Sequence, residues 1–179
     1  MVLRFLLLGM LNLAPMTGYT LKKHFDATVN HFWHADRAQI YRTLAALVSD
    51  GLASVRVIPQ DNYPDRREHY ITDAGRAALL EWLRSSLDDG DVREPFLARL
   101  FFAGHLEPDE VSAILAERRV RAEAMRAGLA ADQERYESES GGRSPDLPTR
   151  LRLATLSNGL HHANAELAWL DETERSIRS

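Results

Sequence analysis

The 179-residue chain contains no cysteine. That absence excludes a disulfide framework, a thiolate metal site and a cysteine nucleophile, and it accords with a reducing, cytoplasmic location, which is the expectation. No apolar run reaches the ~20 residues that a membrane span needs. The longest, residues 2–13 (VLRFLLLGMLNL), has Arg4 as its single charge and no small-x-small cleavage site after it. Neither a span nor a secretory signal is therefore expected. A glycine-rich phosphate loop and a nucleophile-elbow sequence are missing as well, so no catalytic residue and no enzyme activity is expected. His24, His31 and His34 lie close together, and His162 with Glu166 forms an i, i+4 pair. Nothing beside them completes a ligand set, and no metal or cofactor is expected.

An excess of positive charge is also lacking, since the net charge is −4. The halves differ. Residues 1–87 carry ten Lys/Arg against eight Asp/Glu, and residues 88–179 carry twelve against eighteen. Any polyanion would have to be met by a local patch in the first half. The composition turns acidic at Leu87-Asp88-Asp89-Gly90-Asp91, which sets a boundary between an N-terminal domain, 1–87, and a C-terminal region, 88–179.

What is present is clearest in Ala35–Gly51, ADRAQIYRTLAALVSDG. Ile40, Leu44, Leu47 and Val48 repeat with helical period, and Gly51 stands where a helix ends. The opposite face holds Ala35, Ala38, Gln39, Arg42, Ala46 and Ser49. Small residues allow close approach, and Gln and Arg can pair in bidentate fashion with adenine and guanine in a major groove. An ordinary alanine-rich surface helix fits the same pattern. Before it come the all-round apolar helix 2–13, which must be buried, and a turn at Pro15-Met16-Thr17-Gly18. A short helix, YTLKKHFD, follows, capped by Thr17, with Leu21 and Phe25 inward and Lys22 and Lys23 outward. This is the order of a helix-turn-helix unit. After Gly51 the period becomes two: Ala53-Ser54-Val55-Arg56-Val57 and Glu68-His69-Tyr70-Ile71 read as strands of a hairpin whose tip carries Arg66 and Arg67. Thr72-Asp73 then caps a helix with Leu79, Leu80, Leu83 and Leu87 on its apolar side.

The second half reads as all helix. Phe96, Leu97, Leu100, Phe101 and Phe102 form an apolar cluster. Pro108 with Asp109 and Glu110 starts a helix that runs to about Ser138, with Val111, Leu115, Ala122, Met125 and Leu129 on one side. A loop leads to a last helix from Thr149. Its Leu153, Leu156, Leu160, Ala163, Leu167 and Leu170 recur in steps of three and four, an a/d seam. Such a seam serves either a helix pair within the chain or a dimer, and the dimer is the favoured reading. The fold class is thus mainly α with a small β-hairpin: an N-terminal winged helix-turn-helix and C-terminal antiparallel helices that form a dimerisation region.

Three stretches, LNLAPMTGYTLKKHF, HFWHADRAQIYRTLAALVSDGL and QDNYPDRREHYITDAGRAAL, resemble the PadR family of bacterial transcriptional regulators in the same order. The resemblance covers about residues 3–102. The C-terminal region is similar in pattern to the subgroup with a virulence-activator-like helical tail. The resemblance implies a homodimer of winged helix-turn-helix domains, held by C-terminal helices and usually acting as a repressor on double-stranded DNA. Such a dimer would put two reading helices in successive major grooves, which calls for an inverted-repeat operator. It further implies DNA contact by Tyr19, Lys22, Lys23, Gln39, Tyr41, Arg66 and Arg67. Helical geometry adds Arg37 and Arg42. The chain departs from the family's usual glycine at Ala38, proline at Arg42 and aromatic residue at His69, and from a Gly-Arg wing turn near Asn62-Tyr63. Phe32, Trp33, Phe96, Phe101 and Phe102 are candidates to line a pocket for a small aromatic effector, or they are simply core. A winged helix used only for protein contacts is the alternative to a DNA reader.

Overall fold

The computed structural model describes residues 2–59, 65–86, 94–140 and 144–178. They form two compact units, Met1–Asp89 and Gly90–Ser179. The boundary residues Leu87 to Asp91 and the hairpin tip 60–64 lie outside the described residues.

In the first unit, helix α1 (Val2–Leu13) is followed by strand β1 (Met16–Thr17), helices α2 (Gly18–Thr28) and α3 (Arg37–Ser49), strands β2 (Ala53–Ile58) and β3 (Arg66–Ile71), and helix α4 (Asp73–Arg84). The apolar α1 is buried as its composition demands. It packs on α3, α4 and β3, and its Leu7, Leu8, Met10 and Leu11 join Leu21, Phe25, Ile40, Leu44 and Leu47 in one core. Three helix starts are capped by side chains. Thr17 Oγ1 accepts from Thr20 N–H, and Thr72 Oγ1 accepts from Gly75 N–H at 3.0 Å while donating to the Gly51 carbonyl. The third cap, at Asp36, is described below.

The sheet is antiparallel in the order β1-β3-β2, with Val55 and Met16 flanking His69. Several expectations change here. Pro15–Gly18 is not only a turn, because Met16 and Thr17 pair with His69 and Glu68 as a third strand. Two residues are too few to show a period. Arg66 and Arg67 begin β3, opposite Ile58 and Val57, rather than sitting on the hairpin tip. On α4, Leu79 is buried but Leu80 and Leu83 are exposed. The aromatic partner of α1 is instead Trp82, stacked on Phe5 with centroids 4.9 Å apart.

The second unit comprises α5 (Pro95–Phe101), a short 3₁₀ turn (Ala103–His105) and two long helices, α6 (Pro108–Ser140) and α7 (Leu147–Arg178), packed along each other. Leu115, Ala122 and Leu129 of α6 and Leu156, Ala163, Leu167 and Leu170 of α7 are buried. The α7 seam favoured for a dimer is therefore used within the chain, with Leu153 and Leu160 half-buried at its border. The physical reason is length, since α6, at 33 residues against the 32 of α7, is long enough to cover the stripe within one chain. Ion pairs link the two helices beside the seam: Arg118 to Glu166, and Arg119 to Asp171 and Glu174. The apolar cluster expected on α5 is divided. Phe96 and Leu100 pack on this core, while Leu97, Phe101 and Phe102 are exposed. Met125 is exposed too. No helix among the described residues is long and apolar enough to cross a membrane, and no three metal-ligating side chains cluster among them.

Candidate nucleic-acid interface

Helix α3 is fixed at both ends by its own sequence. Asp36 accepts from Gln39 N–H at 2.7 Å, and Gln39 Oε1 accepts from Asp36 N–H at 2.9 Å, a complete capping box. The helix cannot begin at Ala35, which is buried in the core rather than placed on the outer face. At the far end Gly51 takes φ +72°, its N–H reaches Val48 carbonyl, and Leu52 N–H reaches Leu47 carbonyl. This double bond pattern is a Schellman stop, which needs a residue free to adopt positive φ. Ile40, Leu44 and Leu47 then point into the core, and Ala38, Gln39, Arg42, Ala45, Ala46 and Ser49 are exposed.

The side chains expected to meet DNA are not equivalent. Arg42 is exposed, makes no hydrogen bond or ion pair among the described residues, and borders a groove of about 370 Å³ with Leu3, Ala46 and Asp50. Arg4 closes that groove with a 3.0 Å ion pair to Asp50. Gln39 is exposed, but its Oε1 is engaged in the capping box, which leaves the Nε2 donor for an outside partner. Tyr41 is anchored. Its ring lies where a Cβ on Gly18 would come within 2.9 Å, so the glycine makes room for the contact between α2 and α3. Arg37 sits 5.4 Å from the centre of the same ring. On α2, Tyr19 and Lys23 are exposed, whereas Lys22 is half-buried and paired with Asp26 one turn on. Its charge is thus partly spent inside the helix, contrary to an outward lysine.

The wing divides in the same way. Arg67 is exposed and unpaired among the described residues. Arg66 is paired with the buried Glu68. Hydrogen bonds from Tyr70 and Arg66 hold the Glu68 carboxyl below the usual glutamate range, and the same bond pushes the Tyr70 phenol up. His69 faces the core side with Nδ1 buried and unpartnered. Burial is the main reason its pKa is lowered, the nearby Met16 backbone opposes that, and Arg67 adds to it. Arg56 was passed over in the sequence, although the alternation Ala53-Ser54-Val55-Arg56-Val57 already put it on the outer face. It is exposed and lies 4.9 Å from the Tyr70 ring centre. The aromatic pocket candidates fall in different units. Trp33 packs on the first core and Phe32 is exposed, while Phe96 meets Trp169 edge-on and Phe101 and Phe102 are 82% and 68% exposed.

Residues 7–81 match the Transcriptional regulator PadR-like family, and residues 92–178 match the family described as Virulence activator alpha C-term. The chain belongs to the PadR-like family. It is 24% identical to the negative transcriptional regulator PadR of Bacillus subtilis, over 95% of this chain and 94% of that one. The structure of the Bacillus subtilis PadR in complex with operator DNA is similar at TM-score 0.78 and 26% identity, covering 99% of both chains. Its complex with p-coumaric acid matches at TM-score 0.75 and 23% identity, covering 99% of this chain and 96% of that one. The Vibrio cholerae virulence activator AphA matches at TM-score 0.75 and 27% identity, over 98% of both. Membership of this PadR-like family makes the chain a winged-helix, DNA-binding transcriptional regulator and not an enzyme.

Proposed function

We propose that this PadR-like chain is a sequence-specific repressor that acts as a homodimer on an inverted-repeat operator and is released by a small aromatic effector. The observation that carries the reading is α3 itself. It is rigidly capped at both ends, lined outward by alanines, and crossed by an Arg42 with no partner of its own among the described residues. Arg42 and the Nε2 of Gln39 face base edges, and Tyr19, Lys23, Arg37, Tyr41 and Arg67 serve the backbone, with Lys22 and Arg66 muted by Asp26 and Glu68. A dimer places two such helices about 34 Å apart in successive major grooves. Because the α7 seam is consumed within the chain, subunit contact falls to apolar side chains left exposed in the second unit, such as Phe101, Phe102, Val120 and Leu151. The p-coumaric acid complex of the Bacillus subtilis relative supports a small aromatic acid as effector class.

The test is selection of bound sequences from random duplex DNA at physiological salt, repeated with p-coumaric acid present. Enrichment of an inverted repeat, lost with the acid, is the expected result. Enrichment of nothing by a folded dimer without acid overturns the reading. On the selected duplex, Arg42→Ala is expected to relax preference at one base pair, whereas Arg67→Ala weakens all sequences alike and flattens the salt slope by about 0.9. Identical behaviour of the two variants would refute this division of roles.

A further inference from the structure

On the solvent face of the wing, four side chains form one connected group. The antiparallel register sets Arg56 of β2 opposite Glu68 of β3, and the period of two puts Arg66 and Tyr70 on Glu68's face. Glu68 is the one charged residue buried among the described residues. Its carboxylate accepts from the Arg66 guanidinium and, at 2.6 Å, from the Tyr70 hydroxyl. Arg56 lies over the Tyr70 ring, 4.9 Å from its centre. The group thus holds two guanidinia, one carboxylate and a phenol that joins them.

The sign of that carboxylate is the informative point. A surface that only had to attract phosphates would gain from two bare arginines, and a fixed anion in their midst weakens binding to every DNA sequence alike. In return, two flexible guanidinia are held by an ion pair, a ring face and hydrogen bonds, so less side-chain entropy is lost when DNA arrives. We propose that Glu68 is a specificity-determining residue of the wing and that Arg56 is a further DNA-contacting one: Glu68 cancels one of the two positive charges on this face and holds Arg66 directly and Arg56 through the Tyr70 ring, so this face orients the protein on DNA with the sequence-independent attraction of one cation rather than two. This rests on the wing meeting DNA, as proposed above. Because its donors keep the Glu68 carboxyl acidic, the group stays ionised at neutral pH.

The test measures equilibrium binding of the full chain to two duplexes of equal length across a salt series. One duplex is recovered from a random pool by the wild-type chain, and the other is its scrambled sequence. Glu68→Gln is expected to tighten binding to the scrambled duplex by roughly three- to tenfold and to steepen its salt slope by about 0.9, with a smaller gain on the selected duplex, so that discrimination falls. Arg56→Ala flattens the slope by about 0.9 on both duplexes, and combining it with Glu68→Gln removes the gain. Glu81→Gln, which deletes the same formal charge from the exposed face of α4, changes neither. Glu68→Met serves as the second carboxylate-free variant should the glutamine variant fail to fold. An unchanged or weakened affinity on removing the carboxylate overturns the assignment, as does a Glu81→Gln effect of equal size. Failure of the wild-type chain to bind any duplex overturns the DNA reading itself, and is distinguishable from both.

Discussion

The two units spend their apolar residues in opposite ways. The first folds four helices and a small sheet around one thick core, in which Leu7, Leu8, Leu21, Phe25, Ile40, Leu44 and Leu47 are almost wholly removed from water. The second is built on a long helical pair whose seam holds Leu115 and Leu170 fully but fills its middle with Ala122 and Ala163. A pair of helices can cover only one stripe of each, so Phe101, Phe102, Val120, Leu147 and Leu151 stay in solvent. A layered core satisfies itself within one chain. A hairpin of helices leaves an outer face that invites another surface, which is the physical basis for assigning subunit contact to it.

If the units are as separate as their cores, they should unfold separately. Phe25→Ala is expected to cost the first unit about 3–5 kcal/mol, and Leu170→Ala to cost the second about 2–5 kcal/mol. Each variant should shift one of two transitions in urea, followed by far-UV circular dichroism, with the Leu170 transition alone depending on protein concentration. A single transition moved by both variants would break the comparison.

Acid should sharpen it. His69 has its folded pKa below the ordinary histidine value of about 6.5, so below that pH the unfolded chain takes up a proton that the folded one refuses. Stability of the first unit is therefore constant above that value and falls as pH drops from it towards the lower folded value. Glu68 adds a second loss through the ordinary carboxylate range, where its folded pKa is the depressed one. In the second unit Asp146, held down mainly by Thr149, contributes only in that lower range. As pH falls from about 6.5 towards the carboxylate range, the first transition should move with the His69 proton. His69→Phe should abolish that movement, and a wild-type-like profile in the variant would assign the dependence elsewhere.

The smallest effect concerns a cap. Thr72 serves α4 and also donates to the Gly51 carbonyl, so Thr72→Ala should cost the first unit about 1–2 kcal/mol, read as a midpoint shift with unchanged slope.

Much of the fold was legible because local chemistry and tertiary role agreed. Thr17, Thr72 and Gly51 mark helix ends by the bonds they make, and the apolar α1 had to be buried. The family motifs were legible as strings, but their cause was not. Gly18 is small because Tyr41 lies on it, and Gly75 because a Cβ there would come within 2.0 Å of the Leu52 carbonyl oxygen. Neither neighbour is adjacent in sequence. The a/d seam of α7 looked the same whether its partner was α6 or a second copy, since periodicity names a face and not what covers it. The site was legible as a set of cations. Which of them are already paired was not, because Lys22 with Asp26 and Arg66 with Glu68 are matters of rotamer and register.

The bond between Gln39 Oε1 and Asp36 N–H makes one side chain both a splice and a probe. If α3 reads DNA as proposed, a change at 39 that alters base preference also unties the first turn of the helix. Glutamate alone would keep the box, and phosphates would repel it. Divergence of the operator among descendants of this regulator is then channelled through Ala38, Arg42 and Ser49, whose side chains have no structural duty. Base pairs opposite those positions should drift, and the one opposite Gln39 should stay.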